Sequence, residues 1–284
     1  MSYFIAEVSS NHSRDLSRAL EFVEVAADIG CDAVKFQLFK IDKLFAAEIL
    51  SKSKKHRNRQ DWELPLEFVP YLAERCKNRG IHFSCTPFYL DAVAELEPFI
   101  DFYKIASYEL LWDDLHSLCA QTGKPVMIST GMAEMPEIIH AVNVLKSNGC
   151  QEPTVLHCTS AYPTPYGEAN LAAIETIRAA TNCTVGWSDH TVNEGVIHRA
   201  VNRWDAKVIE FHLDIEGQGE EFEGGHCWLP DQIKPVIEAV KCGSAADGDG
   251  VKTPTVSEMP DRDWRADPMD GLRPFKHIRK VFKG

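Results

Sequence analysis

Two histidines are the residues of this chain best placed to do chemistry together. Trp187-Ser188-Asp189-His190 closes a short apolar run that begins at Cys183, and Val208-Ile209-Glu210-Phe211-His212 closes the next, with a helix-length segment between them. Each run delivers an imidazole at its exit. If the runs are neighbouring parallel strands, the rings face one side of a sheet and lie close enough to share a divalent ion, since imidazole suits manganese, iron, zinc and related metals. Two ligands leave positions open for substrate or water. Two histidines alone are equally compatible with ordinary polar residues at strand ends, so the rest of the chain has to decide.

The elements that would position them recur along the sequence. β-rich runs span Tyr3 to Val8, Ala33 to Leu38, Ile81 to Cys85, Phe102 to Ile105, Pro125 to Ser129, Thr154 to Cys158, Cys183 to Trp187 and Lys207 to Phe211. Between them the apolar period becomes helical, with Leu16, Leu20, Val23 and Ala27 on one face, then Ile138, Ala141, Val142 and Leu145, then Leu171, Ile174 and Ile177. Gly30, Gly80, Gly123 and Gly149 stand as helix stop signals before the next run. Strand and helix in alternation predict parallel βα units, and eight of them close most naturally into a (β/α)8 (TIM) barrel with its active site at the C-terminal ends of the strands. A doubly wound open sheet would carry a Gly-rich phosphate loop after its first strand, and none is present.

A barrel demands chemically capable residues at its strand exits, and they occur at nearly every one. Strand one ends near Glu7 and Asn11-His12, strand two carries Lys35 and Gln37, and strand three exits at Ser84-Cys85-Thr86-Pro87-Phe88. Strand four offers Lys104 and Ser107, strand five Ser129-Thr130-Gly131-Met132, and strand six His157-Cys158-Thr159-Ser160-Ala161-Tyr162-Pro163. Any one of these could be a buried polar group bonded to its neighbours. Their coincidence across the strands favours a site.

Composition bounds the reading. The 284 residues fit one large barrel, and no linker, low-complexity tract or repeat breaks residues 1–242. A net charge of -12 argues against general nucleic-acid binding, so an anionic substrate would need local positive charge. No apolar run approaches the ~20 residues of a membrane span, and the N-terminus lacks the pattern of a signal peptide, so a cytoplasmic protein without membrane association is expected. The nine cysteines form no CxxC pair and read as reduced, mostly packed thiols.

Ala6-Glu7-Val8-Ser9-Ser10-Asn11-His12, Ala33-Val34-Lys35-Phe36-Gln37, Thr86-Pro87-Phe88, Tyr103-Lys104-Ile105-Ala106-Ser107, Ile128-Ser129-Thr130-Gly131-Met132, His157-Cys158-Thr159-Ser160 with Tyr162-Pro163, and Gly186-Trp187-Ser188-Asp189-His190-Thr191 resemble, in order, the motifs of the N-acetylneuraminate (sialic acid) synthase family. The resemblance implies a (β/α)8 catalytic domain that condenses phosphoenolpyruvate with the open-chain aldehyde of an N-acetylated hexosamine, assisted by a divalent metal, usually Mn or Mg. The product would be a nine-carbon 3-deoxy-2-keto acid, with phosphate released by C–O cleavage. His190 and His212 match the family's metal ligands, and Lys35 and Lys104 the cations of its phosphoenolpyruvate pocket. Thr86, Ser107, Ser129 and Ser188 would donate around that donor. Glu7 matches the catalytic carboxylate, able to relay protons if its surroundings raise its pKa. Gln37, Ser160 and Tyr162 fall on the acceptor side, where a tyrosine offers a flat apolar face and a hydroxyl.

The likeness weakens after strand eight. The family's Pro-Asp-His stretch, whose aspartate binds sugar hydroxyls, is replaced by Glu223-Gly224-Gly225-His226-Cys227-Trp228-Leu229-Pro230, with Gly225 at the Asp position. Glu223 or His226 is the expected substitute, and the wider run Glu216, Glu220, Glu221 and Glu223 reads as a solvated face. Alternatives to the sialic-acid-type reaction are therefore a related synthase for another aldose or aldehyde, and a non-catalytic carbohydrate- or metabolite-binding barrel.

The resemblance also implies a small C-terminal domain that covers a neighbouring subunit's site, which suggests a homodimer. Residues 243–284 are too few for that domain and read as a loop and tail after a helix over Asp231 to Lys241. Trp264, Leu272, Phe275 and the turn signal Asp270-Gly271 suggest a docked tail, in which Arg273 or Arg265 would supply the guanidinium of the absent domain. The basic run Lys52-Ser53-Lys54-Lys55-His56-Arg57-Asn58-Arg59 reads as a solvated loop, or as a patch that steers an anion inward.

Overall fold

The computed structural model describes residues 2–283, which fall into two compact units that divide between Ser244 and Ala245. The first holds eight parallel strands, β1 (Tyr3–Glu7), β2 (Ala33–Leu38), β3 (His82–Pro87), β4 (Tyr103–Ile105), β5 (Val126–Ser129), β6 (Thr154–His157), β7 (Thr184–Asp189) and β8 (Val208–Leu213). Their order in the sheet is β3-β2-β1-β8-β7-β6-β5-β4. A single parallel bridge, Ser84 to Phe102, joins β3 to β4 and closes the cylinder. The chain is a (β/α)8 barrel. One strand was not expected, β9 (Cys227–Trp228), which pairs in parallel with the exit of β8.

The alternation of side chains along a strand stacks the interior in layers. Ile5, Ala33, Phe102, Leu156 and Val208 form an apolar floor of their own, apart from the main core. Two residues further along the same strands, on the same face, stand Glu7, Lys35, Lys104, Cys158 and Glu210. Another step of two brings Gln37 and His212 to the mouth. The outward residues, among them Phe4, Phe36, Tyr103, Val155, Trp187 and Phe211, meet the helices in the principal core. At Gly186 the strands leave no room for a side chain, because a Cβ there would lie 2.4 Å from the Val208 carbonyl oxygen on the neighbouring strand.

Helices form where the periodicity predicts them. Leu16–Asp28 starts at Asp15, whose carboxylate accepts the Arg18 N–H, but it buries Ala19, Phe22, Val23 and Ala26. Of the predicted face only Val23 is fully buried; Phe22, the largest apolar group of the helix, turns the stripe by about one residue. Met135–Ser147 buries Ile138, Ala141, Val142 and Leu145 as read, and Ala173–Thr181 buries Ile174 and Ile177. Val69–Arg79 ends on Gly80 at φ 71°, a left-handed backbone that glycine adopts without strain.

The connection after β2 differs from its sequence reading as a loop. It winds into short helices, Ile41–Leu44, Ala47–Lys52 and Lys54–Asn58, then a 3-10 turn over Arg59–Trp62. Local partners explain this: Ser53 caps Lys54–Asn58, the His56 ring meets Phe45 edge-on, and the Arg59 guanidinium lies over Phe45 and Trp62. Pro230–Ala246 is helical for longer than expected. In the second unit, Val256–Trp264 is a 3-10 helix opened by a Thr255–Glu258 capping box, and Lys276–Val281 is an α-helix. Arg279 pairs with Asp270 there at 2.9 Å. Among the described residues, no helix is long and apolar enough to cross a membrane.

Candidate active site

The polar layer above the barrel floor is an ion-pair network. Lys104 Nζ donates to Glu210 Oε1 at 2.7 Å, and Ser188 Oγ donates to the same oxygen at 3.2 Å. Lys35 Nζ contacts Glu7, donates to Thr86 Oγ1 at 3.1 Å and stands 3.9 Å from Glu210 Oε2. Glu7 Oε1 accepts from the Ser9 N–H at 2.8 Å and from Gln37 Nε2 at 3.0 Å. All four charged groups are at least 97 % buried, so each depends on the others for its charge to be tolerated. Burial pulls the Lys35 ammonium down to about 7, against the opposing attraction of Glu210. Burial pushes Glu210 up, but Lys104 and Lys35 outweigh it and hold the carboxyl below its usual range.

Hydroxyls line the wall between the lysines. Ser107 Oγ accepts the Gly131 N–H at 3.0 Å and lies 3.2 Å from Cys158 Sγ, while the buried Ser129 Oγ has no hydrogen-bond partner within the protein. Glu7, Lys35, Gln37, Thr86, Lys104, Ser107, Ser129, Tyr162, Ser188, His190 and His212, all singled out from the sequence, line one cavity. A larger cleft of ≈ 510 Å³ on the barrel wall has Arg199 as its one charged lining residue and no comparable network, so the chemistry belongs to the polar cavity.

At the mouth stand the histidines. The His190 and His212 rings are 5.3 Å apart, with the Tyr162 ring 4.3 Å from His190. His190 Nδ1 donates to the Thr159 carbonyl at 2.8 Å, and His212 Nδ1 meets Glu221 Oε2 at 3.0 Å. Burial, reinforced by His212, depresses His190 to about 3, and burial likewise lowers His212 against the pull of Glu221. Neutral imidazoles, each held by its other nitrogen, are the form that binds a divalent metal. The donor set therefore fits such an ion.

Three expected residues lie elsewhere. Ser160 is outside the cavity lining; its Oγ is buried without a partner, close behind Gly131. Glu223 is exposed, and Glu221 is the acidic residue turned inward instead. Two residues along a helical turn are about 200° apart, so Glu220–Glu223 presents only one of the pair to the barrel. The run read as a solvated face thus contains a half-buried group. Arg273 belongs to the second unit and is exposed within it.

The sequence reading left out Glu210 and Cys227, took Glu221 for part of a solvated face, and named His226 only as a substitute on the acceptor side. Glu210 had a visible signal: a carboxylate inside an apolar strand, two residues before a histidine and so on its face. His226 and Cys227 carried only a weak one, because β9 is too short to be recognised from pattern.

Fold and site together define a (β/α)8 barrel with two lysines and two glutamates buried beneath a histidine-lined mouth. A family model described as "NeuB family" matches residues 22–252. Among curated proteins, the chain is 35 % identical over 273 residues to an N,N'-diacetyllegionaminic acid synthase of Campylobacter jejuni, covering 90 % of this chain and 80 % of that one. It is 30 % identical over 259 residues to a pseudaminic acid synthase of the same species, covering 87 % and 75 %. Among solved structures, an N-acetylneuraminic acid (sialic acid) synthetase of Leptospira borgpetersenii superposes with a TM-score of 0.79 at 29 % identity, over 92 % of this chain and 90 % of that one. The chain belongs to the NeuB family. It is a carbon–carbon bond-forming transferase of the sialic acid synthase type.

Proposed function

We propose that the protein condenses phosphoenolpyruvate with the open-chain form of an N-acetylhexosamine-type aldose, giving a nonulosonic 2-keto-3-deoxy acid and phosphate. The observation that carries this reading is the pair of buried lysines, Lys35 and Lys104, ringed by Thr86, Ser107, Ser129 and Ser188 at the foot of a histidine-lined mouth. A small ligand bearing both carboxylate and phosphate matches two fixed cations and a ring of neutral donors. Arriving there, it replaces Glu7 and Glu210 as partner of the lysines.

Carbon C3 of the donor attacks the acceptor aldehyde, whose oxygen takes a proton from water, relayed by the Glu7 carboxylate once the donor has displaced it from Lys35. Water then adds to C2, and C–O cleavage releases phosphate and leaves the ketone. A divalent ion, manganese or magnesium on the family's pattern, held through His190 and His212 would polarise the aldehyde as a Lewis acid. Tyr162 and Gln37 flank the acceptor, Tyr162 by stacking its half-exposed ring against the sugar's C–H faces.

The altered segment Glu223–Pro230 supports, as a second reading, a related synthase that acts on a different aldose or aldehyde. The test is phosphate release from phosphoenolpyruvate across a panel of acetamido-aldoses with each metal. Turnover with one of them supports the reaction and names the acceptor. No release with any aldehyde, despite donor binding, would leave a binding protein.

A further inference from the structure

β6 brings a neutral group into the layer to which its neighbours bring charges. The Cys158 thiol stands there with Glu7, Lys35, Lys104 and Glu210, lines the cavity, is 4 % exposed and has no part in the reaction proposed above. Its Sγ lies 3.2 Å from Ser107 Oγ, and that same oxygen accepts the Gly131 N–H at 3.0 Å. Burial pushes the thiol up, outweighing Ser107, Lys104 and the Gly131 N–H, so the sulfur carries its proton at neutral pH.

A hydroxyl has one proton to give and two lone pairs that accept. Within the protein, Ser107 can give its proton to the sulfur or take the sulfur's. An anionic ligand in the cavity decides between them, since its oxygens accept and do not donate. Ser107 then has to turn its proton to the ligand, and both of its lone pairs face donors, the Gly131 N–H and the Cys158 S–H. On the same lining Ser129 Oγ, 2 % exposed and without a partner in the protein, is a second hydroxyl left for a ligand to engage.

We propose that Cys158 is a positioning residue for phosphoenolpyruvate: its S–H donates to Ser107 Oγ and commits the Ser107 proton to the bound anion. This rests on the reading of the cavity as the donor site and deepens it. No covalent bond is made or broken, and the thiol acts only through Ser107. Polarisation along such a chain strengthens the bond that ends on the charge. Gly131 keeps the chain intact, because a Cβ there would press on both members, 3.1 Å from Cys158 Sγ and 3.0 Å from Ser107 Oγ.

Calorimetric titration of the full-length protein and its variants with phosphoenolpyruvate tests this. C158A should weaken donor affinity about fivefold, the worth of one ordinary hydrogen bond, and raise KM for phosphoenolpyruvate to match, with kcat within about twofold. C158S restores a donor of similar size and should bind within about twofold of the unsubstituted protein. S107A should also weaken binding, and adding C158A to it should change affinity by less than about twofold, because the thiol then has nothing to act through. Infrared difference spectra add a readout in the unsubstituted protein: on phosphoenolpyruvate binding an S–H stretch should move to lower frequency, a feature that C158A lacks. Unchanged donor affinity in C158A, equal losses in C158A and C158S, or additive losses in S107A and C158A would each overturn the relay and leave Cys158 a packing group. No phosphoenolpyruvate binding to the unsubstituted protein would overturn the relay and the donor reading together.

Discussion

Lys104 and Glu210 join diametrically opposite strands of the barrel, β4 and β8, through a 2.7 Å charge-assisted bond at its centre. The same lysine is proposed to hold the donor, so K104M should act twice. Donor affinity should fall by ~1.5–3 kcal/mol, the worth of a hydrogen bond to a charged group. Stability should fall by ~1–3 kcal/mol, because Glu210 loses its closest counter-charge and keeps only Ser188 and the Lys35 ammonium 3.9 Å away. K104M/E210Q should recover much of the stability and none of the affinity. Calorimetric titration with phosphoenolpyruvate and urea unfolding separate the two effects; unchanged donor affinity in K104M would remove Lys104 from the site.

Lys35 gives the site a pH dependence. Its ammonium, depressed to about 7 mainly by burial, is charged below that pH and neutral above it. The specificity constant for phosphoenolpyruvate should therefore decline by about tenfold per pH unit above about 7, since this parameter reports the free enzyme. In K35R, whose guanidinium stays charged, that alkaline limb should be absent even if the plateau is lower. A wild-type profile flat to pH 9 would exclude the assignment.

His116 is fully buried in Asp113–Gln121, and neither ring nitrogen has a hydrogen-bond partner. Burial depresses it to about 4. A lowered folded pKa means that the unfolded chain binds the extra proton first, so His116 leaves stability independent of pH above about 6.5 and makes it fall as pH drops toward about 4. H116L should stabilise the protein by ~1–3 kcal/mol, since it removes buried polar atoms without partners, and should flatten this acid limb. Thermal unfolding at pH 7 and pH 5 measures both; a less stable H116L would mean that the ring has a partner in solution.

Gly131 is set by space. A Cβ there would lie 2.0 Å from Ser160 Oγ and 3.0 Å from Ser107 Oγ. G131A should cost ~1–3 kcal/mol from overpacking and weaken donor binding by moving Ser107. Adding S160A should return most of the stability, because it deletes the atom in closest conflict. Failure of that rescue in denaturant titrations would place the strain elsewhere.

Much of this was legible in advance because the barrel writes its layers into the strands. Lys35 follows Ala33 by two, and Lys104 follows Phe102 by two, so an inward polar layer above an apolar floor can be read from alternation alone. The same rule marks Glu210, which was passed over because its run is otherwise apolar. The strands' existence followed from β-rich runs between stop signals, whereas the phase of Leu16–Asp28 depended on which bulky side chain the core would accept. The inward turn of Glu221 was not legible, and the strand that holds Cys227 barely so. Their positions depend on a one-turn helix and a two-residue strand, both held by the exit of β8 rather than by local preference.

The closure of the barrel between β3 and β4 has a dynamic consequence. Only one backbone bridge joins these strands, and side chains stand in for the ladder: Asp101 Oδ2 accepts the Phe83 N–H at 2.7 Å, and Ser84 Oγ donates to the Phe102 carbonyl at 2.8 Å. Such a seam is the cylinder's cheapest place to part, so its amides should exchange with deuterium well before those of the β1–β8 pair. Lys104 rides on one lip of it and Thr86 on the other. Breathing there would part Lys104 from Thr86 and so loosen whatever the two hold between them.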